Sequence, residues 1–413
     1  MRSLLLLLLC IFPVLANGQS SGSFDRELKT LPSINIRRLI SVKDSMLKQT
    51  ALLLDSTIYQ ETRGNGQMHT FEYDVTGNVV VETVYNREKS TGQWIKNTRL
   101  DFVYNLENKP ESVTIYQWNS RINNWVRQQK RETTYHAGGK PVLSTDYIWD
   151  YVINNWMTST KHQVLYDINE YPTNEIFWRW DSENNLWQIA WQKETIYDSN
   201  GNLTFISYTE LDEQTDSPVF THKQHITYDL QHHVTIEDYN WDKLLNYWIK
   251  DKSATYYRDR KNNRTLVALS EWNAATNEWD NKERYDLTLA ANGCVTLAEG
   301  LLWNTDSNTW ERFYKYEYQY DSNANQTAIE NYGRDSQTSI WNGIFKTTYA
   351  FDKNDHKTQE AHYEWNAPTQ TWLNGIKNDF TYTESGQLLQ NLFSEWENDK
   401  WFIDRTESYY YQP

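Results

Sequence analysis

Eighteen of the twenty tryptophans in this chain stand on one grid, and no other feature limits the possible folds so strongly. Trp94, Trp125, Trp156 and Trp187 follow one another at a spacing of 31, as do Trp248, Trp279, Trp310, Trp341 and Trp372, with Trp401 closing the series 29 further on. Seven residues before most of them stands a partner: Trp118, Trp149, Trp180, Trp241, Trp272, Trp303 and Trp365, and Trp396 precedes Trp401 by five. A fixed period of this length means one supersecondary unit stacked on copies of itself. It says how the chain is built and little about what it binds.

Between paired tryptophans lie turn formers, as in Trp118-Asn119-Ser120-Arg121-Ile122-Asn123-Asn124-Trp125, so the two rings face each other across a hairpin mouth. Ten residues after the second tryptophan comes a tyrosine, often followed by aspartate and then Gly, Asn or Ser, as in Tyr197-Asp198-Ser199-Asn200-Gly201-Asn202. Asn and Gly tolerate positive φ and Asp caps its own turn, which makes this a second hairpin connection. One unit is therefore two strands of about eight to eleven residues with two turns.

The fold class that follows is all-β: a long antiparallel β-meander of about twelve two-stranded repeats. Twist forbids a flat sheet of that width, so it curls or spirals; a β-propeller-like arrangement of two units per blade is the alternative. The units are not equal. Tyr59 supplies the ring of a shortened first unit, and the sixth has Leu211 and Pro218 at its tryptophan positions with Phe220 as a substitute. The tenth lacks its first tryptophan and offers Tyr332 nearby. Simple alternation puts Trp310, Arg312, Tyr314, Tyr316, Tyr318 and Tyr320 on one face, and likewise Trp125, Arg127, Gln129, Arg131, Thr133 and Tyr135. Charges then lie on both faces, which excludes the apolar outer band of a membrane barrel, and no membrane span is expected.

Residues 1–18 have the form of a signal peptide: Arg2, the apolar run Leu4 to Phe12, and small residues at Ala16-Asn17-Gly18. Residues 19–50 form an N-terminal cap or linker and 51–413 a single β-repeat domain. The protein is expected to be exported, to the periplasm, cell surface or exterior. Cys10 leaves with the signal, so Cys294 is alone and no internal disulfide contributes. A net charge of -15 argues against a nucleic-acid partner.

The string from Trp180 to Asn202, with its tryptophan pair, lysine and Tyr-Asp-Ser-Asn-Gly-Asn turn, resembles the tandem repeats of proteins secreted by Bacteroidota, many of them type IX secretion substrates. Leu54 to Tyr59 is similar to the strand that opens such arrays. The Tyr-Asp turns also resemble, less closely, the YD repeats of RHS-type shells, and that likeness implies a hollow cocoon around a partner.

No catalytic constellation rises above background, so the chain does not read as an enzyme and no cofactor is implied. His222, His225, His232 and His233 cluster in the sixth unit, but His222 and His225 alternate in facing and the other two occupy a turn. The Asp-rich turns lack the distal glutamate of a calcium loop, and turn formation accounts for them, so no metal site is assigned. Trp178 and Trp191 stand off the grid, both in the fifth unit. With Trp180 and Trp187 they make the candidate ligand-binding patch, for a glycan or protein partner. The function that results is a secreted, non-enzymatic scaffold or adhesion surface; the alternatives are a glycan-active enzyme using the divergent repeats near 170–240 and a YD-type shell.

Overall fold

A computed structural model describes residues 52–412, apart from 63, 213, 216, 231, 232 and 260–263. The proposed signal peptide and cap lie outside the described residues. Twenty-four strands, from β1 (Leu54–Glu61) to β24 (Lys400–Tyr411), run as an antiparallel meander in one sheet. The sheet is continuous, with no division into blades. It also closes: β1 pairs with β2 on one side and with β24 on the other, Thr57 opposite Tyr409 and Ile58 opposite Ser408. Closure removes both free edges, which are otherwise templates for aggregation.

Crossing the sheet from Ser112 through Glu132 to Thr145 advances 33 positions, whereas the repeat is 31. Equivalent residues therefore slip by two per unit, and the strands must tilt around the ring. Twenty-four strands spaced about 4.8 Å apart enclose a ring about 37 Å across before tilt widens it. Side chains cannot fill an interior that wide, and the burial pattern agrees. Leu100 is the one large side chain of the described residues that is fully buried, at 2 % exposure. The wall is a single layer, stabilised sideways between neighbouring strands.

Each of the eleven hairpins after the first unit carries a β-bulge a few residues beyond the position of the second tryptophan, which Pro218 occupies in the sixth. In the hairpin of β5 (Pro110–Asn119) and β6 (Asn124–Tyr135), Tyr116 faces Arg127 but Ile115 faces Gln129, leaving Gln128 as the extra residue. An extra residue inverts the alternation beyond it. The faces read by simple alternation are thus corrected: Trp125 and Arg127 share a face with Lys130 and Glu132, while Gln129, Arg131, Thr133 and Tyr135 lie on the other. Likewise Trp310 and Arg312 share a face with Lys315, and Tyr314, Tyr316, Tyr318 and Tyr320 lie opposite. We call these the tryptophan face and the tyrosine face. Both still carry charges, Lys130 and Glu132 on one and Arg131 and Asp146 on the other, so neither offers lipid an unbroken apolar band.

The turns obey the sequence closely. In the tyrosine-side turns the Asp carboxylate accepts backbone N–H groups two and four residues on, as Asp74 does from Thr76 and Asn78 and Asp198 does from Asn200 and Asn202. The residue three positions on has positive φ, and Gly77, Gly201 and Asn108 take it with little strain. Six tyrosines, at 104, 135, 166, 228, 320 and 382, donate their hydroxyl to a backbone carbonyl 25 residues earlier, at 2.7–3.0 Å. In those six units that bond fastens the end of the second strand to the start of the first, closing the open end of the hairpin, and it explains why the ring there is tyrosine. Burial pushes the Tyr104 hydroxyl up to about 12, so it stays a donor at physiological pH.

Candidate functional site

Eight tryptophan pairs meet edge-to-face across their hairpins, with centroids 4.9–5.2 Å apart and planes at 65–78°. All of these rings are half-buried. Edge-to-face contact is the favoured meeting of two quadrupoles, and here the hairpin alone imposes it.

What covers the pair comes from the preceding unit. Lys96 lies 4.6 Å from the Trp118 ring, Arg127 4.8 Å from Trp149, Lys130 5.4 Å from Trp156, Lys161 4.1 Å from Trp187, and Lys250 4.5 Å from Trp272. Each is a cation–π contact. The degenerate units show the same rule with other residues. Phe220 does not replace a tryptophan of its own unit; its ring sits 5.4 Å from both Trp241 and Trp248 of the next. Tyr332 likewise packs on Trp365 and Trp372 rather than beside Trp341. Gly343 stands at the covering position there, where a Cβ would come within 2.4–2.6 Å of both indoles.

The four predicted site residues are divided by the sheet. In β9 (Pro172–Asp181) and β10 (Leu186–Tyr197), Trp180 faces Trp187 and Trp178 faces Ile189, all on the tryptophan face. The bulge at Ala190 then turns Trp191 to the tyrosine face, opposite Phe177. There its ring stacks on Phe177 at 5.8 Å and 9°, beside His162, above the Lys193–Glu175 ion pair of 3.0 Å. Trp178, Trp180 and Trp187 therefore form one patch, bordered by Lys161, and Trp191 belongs to another.

The histidines do not converge. His222 pairs with Asp238 at 3.4 Å, and that carboxylate raises the imidazole above its ordinary range; His225 lies on the other face between Phe205 and Tyr239. His233 bonds the Asp229 carboxylate within its turn, and His232 lies outside the described residues. Among the described residues, no three His, Cys, Asp or Glu side chains gather where they could hold a metal. The Asp198 carboxylate is engaged by N–H donors of its own turn, and the Asn202 amide holds it below the usual range.

Alternation missed a depression of about 600 Å3 on the tryptophan face between the ninth and tenth units. Its wall is laid down by strand pairing: Arg284 of β16 (Glu278–Leu289) faces Leu301, Leu301 faces Arg312 of β18 (Thr309–Tyr320), and Arg334 of β19 (Gln326–Arg334) faces Trp341. Two lapses in the grid open it. Arg334 stands where the first tryptophan of the tenth unit would be. At the covering positions for the Trp303–Trp310 pair the preceding unit has Asn281 and Arg284, and Arg284 turns instead to Asp286 in two bonds of 2.7 Å. Among the described residues no cation or further ring lies over Trp303 or Trp310. A smaller depression of about 380 Å3 beside Trp118 is bridged by Tyr151, whose hydroxyl accepts from Gln128 and donates to the Arg127 carbonyl.

No family model and no curated protein matches this chain. Solved structures similar to it include a protein of unknown function from Bacteroides fragilis, 18% identical with a TM-score of 0.27, covering 30% of this chain and 87% of that one. A DUF3836 family protein from Bacteroides vulgatus is 22% identical with a TM-score of 0.20, covering 22% of this chain and 89% of that one. The TcdB2-TccC3-TEV structure is 10% identical with a TM-score of 0.21; the match covers 88% of this chain and 24% of that one.

Proposed function

We propose that this chain is an exported, non-enzymatic β-repeat scaffold of the cell envelope or exterior, whose wall is a binding surface for glycans or proteins. The observation that supports it most is the closed, single-layer wall: a ring about 37 Å across before tilt devotes both faces to display and almost nothing to a core. Such a surface offers many weak contacts that act together. At the divergent repeats near 170–240, where an enzyme would have to place its acid and base, three of the described carboxylates are already engaged. Glu175 holds Lys193, Asp212 holds Lys243 and its own loop, and Asp238 accepts from Gln224.

A glycan array and a hydrolase screen on the full chain test this directly. Binding without turnover supports the scaffold; turnover abolished by one substitution contradicts it. Closure also favours a second function, a shell enclosing a partner, because a ring with no free edge separates inside from outside. In that case a partner co-purifies with the chain and is protected from protease until the ring is unfolded.

A further inference from the structure

Resting on the binding-scaffold function, we propose that the depression between the ninth and tenth units binds an acidic sugar, with the pyranose ring against Trp310 and its carboxylate or sulfate on Arg334. Trp310 qualifies because its pair is the one left uncovered among the described residues. Elsewhere a lysine, an arginine or a ring from the preceding unit lies on the indoles; here Asn281 is too short and Arg284 is tied to Asp286. An indole face without a cover offers the apolar surface that a sugar's C–H face needs.

Arg334 supplies the complementary feature. It is half-buried, and its side chain makes no hydrogen bond or ion pair with any described residue. The two guanidiniums beside it are neutralised, Arg284 by Asp286 and Arg312 by Glu299 at 2.7 Å. Arg334 is thus the one guanidinium of the depression without a carboxylate partner among the described residues, beside an uncovered indole, and the remaining carboxylate of the lining, Glu311, accepts from the Asn304 amide. The planar fork of Arg334 fits a carboxylate or sulfate in two parallel bonds. A volume of about 600 Å3 lies within the range of small-molecule sites.

Titration calorimetry on the full chain decides the matter, with three probes at matched length: a galacturonic acid tetramer, a sulfated tetrasaccharide and a neutral glucose tetramer. At least one acidic probe binds more tightly than the neutral one, and Arg334→Met weakens it about tenfold or more, since a charge-assisted bond is lost. Which acidic probe binds identifies carboxylate or sulfate as the recognised group. Trp310→Leu weakens the same probe, with circular dichroism confirming that the sheet persists. Equal binding of the neutral tetramer, acidic binding untouched by Arg334→Met, or no binding of any probe overturns the proposal. The scaffold function outlives each of those results if the array finds another ligand, and fails separately on turnover.

Discussion

The hairpin carrying Trp149 and Trp156 and the hairpin carrying Trp303 and Trp310 are built alike and finished differently. Both pairs meet at 5.0 Å edge-to-face. Over the first lie Arg127 and Lys130 from the preceding unit; over the second no described cation lies. Ring geometry is therefore a property of the hairpin, and the cover is a separate property of the neighbouring unit. The first can be constant along the array while the second varies, which is how a repetitive wall acquires one place unlike the rest.

The largest expected effect attacks the shared part. Trp156→Ala removes a half-buried ring from a covered pair and should destabilise the sheet by about 3 kcal/mol in chemical denaturation. A value under about 1 kcal/mol would mean that the pairs are ornaments on a sheet held by its backbone. Next comes the tie that closes the open end of a hairpin: Tyr135→Phe deletes the 2.7 Å bond to the Pro110 carbonyl and should lower stability by about 1 kcal/mol. Phe351 occupies the equivalent place naturally, so the unit that carries it serves as the internal control.

The cover itself is worth less. Trp310→Ala should be milder than Trp156→Ala by about 0.5–1 kcal/mol, the magnitude of an exposed cation–π contact. Equal losses would mean that the lysine and arginine rows do not stabilise the rings beneath them. The smallest effect belongs to a turn. Hydrogen bonds from Thr76 and Asn78 hold the Asp74 carboxyl down at about 2, below its ordinary value of 3.8. Its contribution is fully present above about 3.8 and is lost as the pH falls through about 2. The melting difference between the native chain and Asp74→Asn should shrink across that window; a difference that persists at the acid end would place the stabilisation elsewhere.

Much of this architecture was written openly in the residues. The 31-residue unit, the rings opposed across the hairpin, the Asp-Gly-Asn turns and the all-β meander all follow from local patterns whose physics is local. What stayed hidden is non-local or unmarked. The bulge residues are Asn97, Gln128, Ala190, Phe313 and Gly375 among others, and no residue type distinguishes them. For that reason simple alternation placed Tyr314 with Trp310, and Trp191 beside Trp187. Closure depends on β1 pairing with β24, and nothing in the residues of either strand marks the other as its partner. The depression did leave a signal, Arg334 in a tryptophan's place and Asn281 in a lysine's, but its meaning required knowing that each unit covers the next.

The ring stands or falls on the contact between its first and last strands. Thr57 and Tyr409 face each other there, and directly opposed residues of antiparallel strands lie about 4.5–5.5 Å apart at Cα, within disulfide reach. In a chain carrying Thr57→Cys, Tyr409→Cys and, to remove the two natural cysteines, Cys10→Ser and Cys294→Ser, mild oxidation should form the disulfide within the monomer and raise its melting temperature. A monomer that fails to cross-link, or cross-links only between chains, would contradict a closed wall.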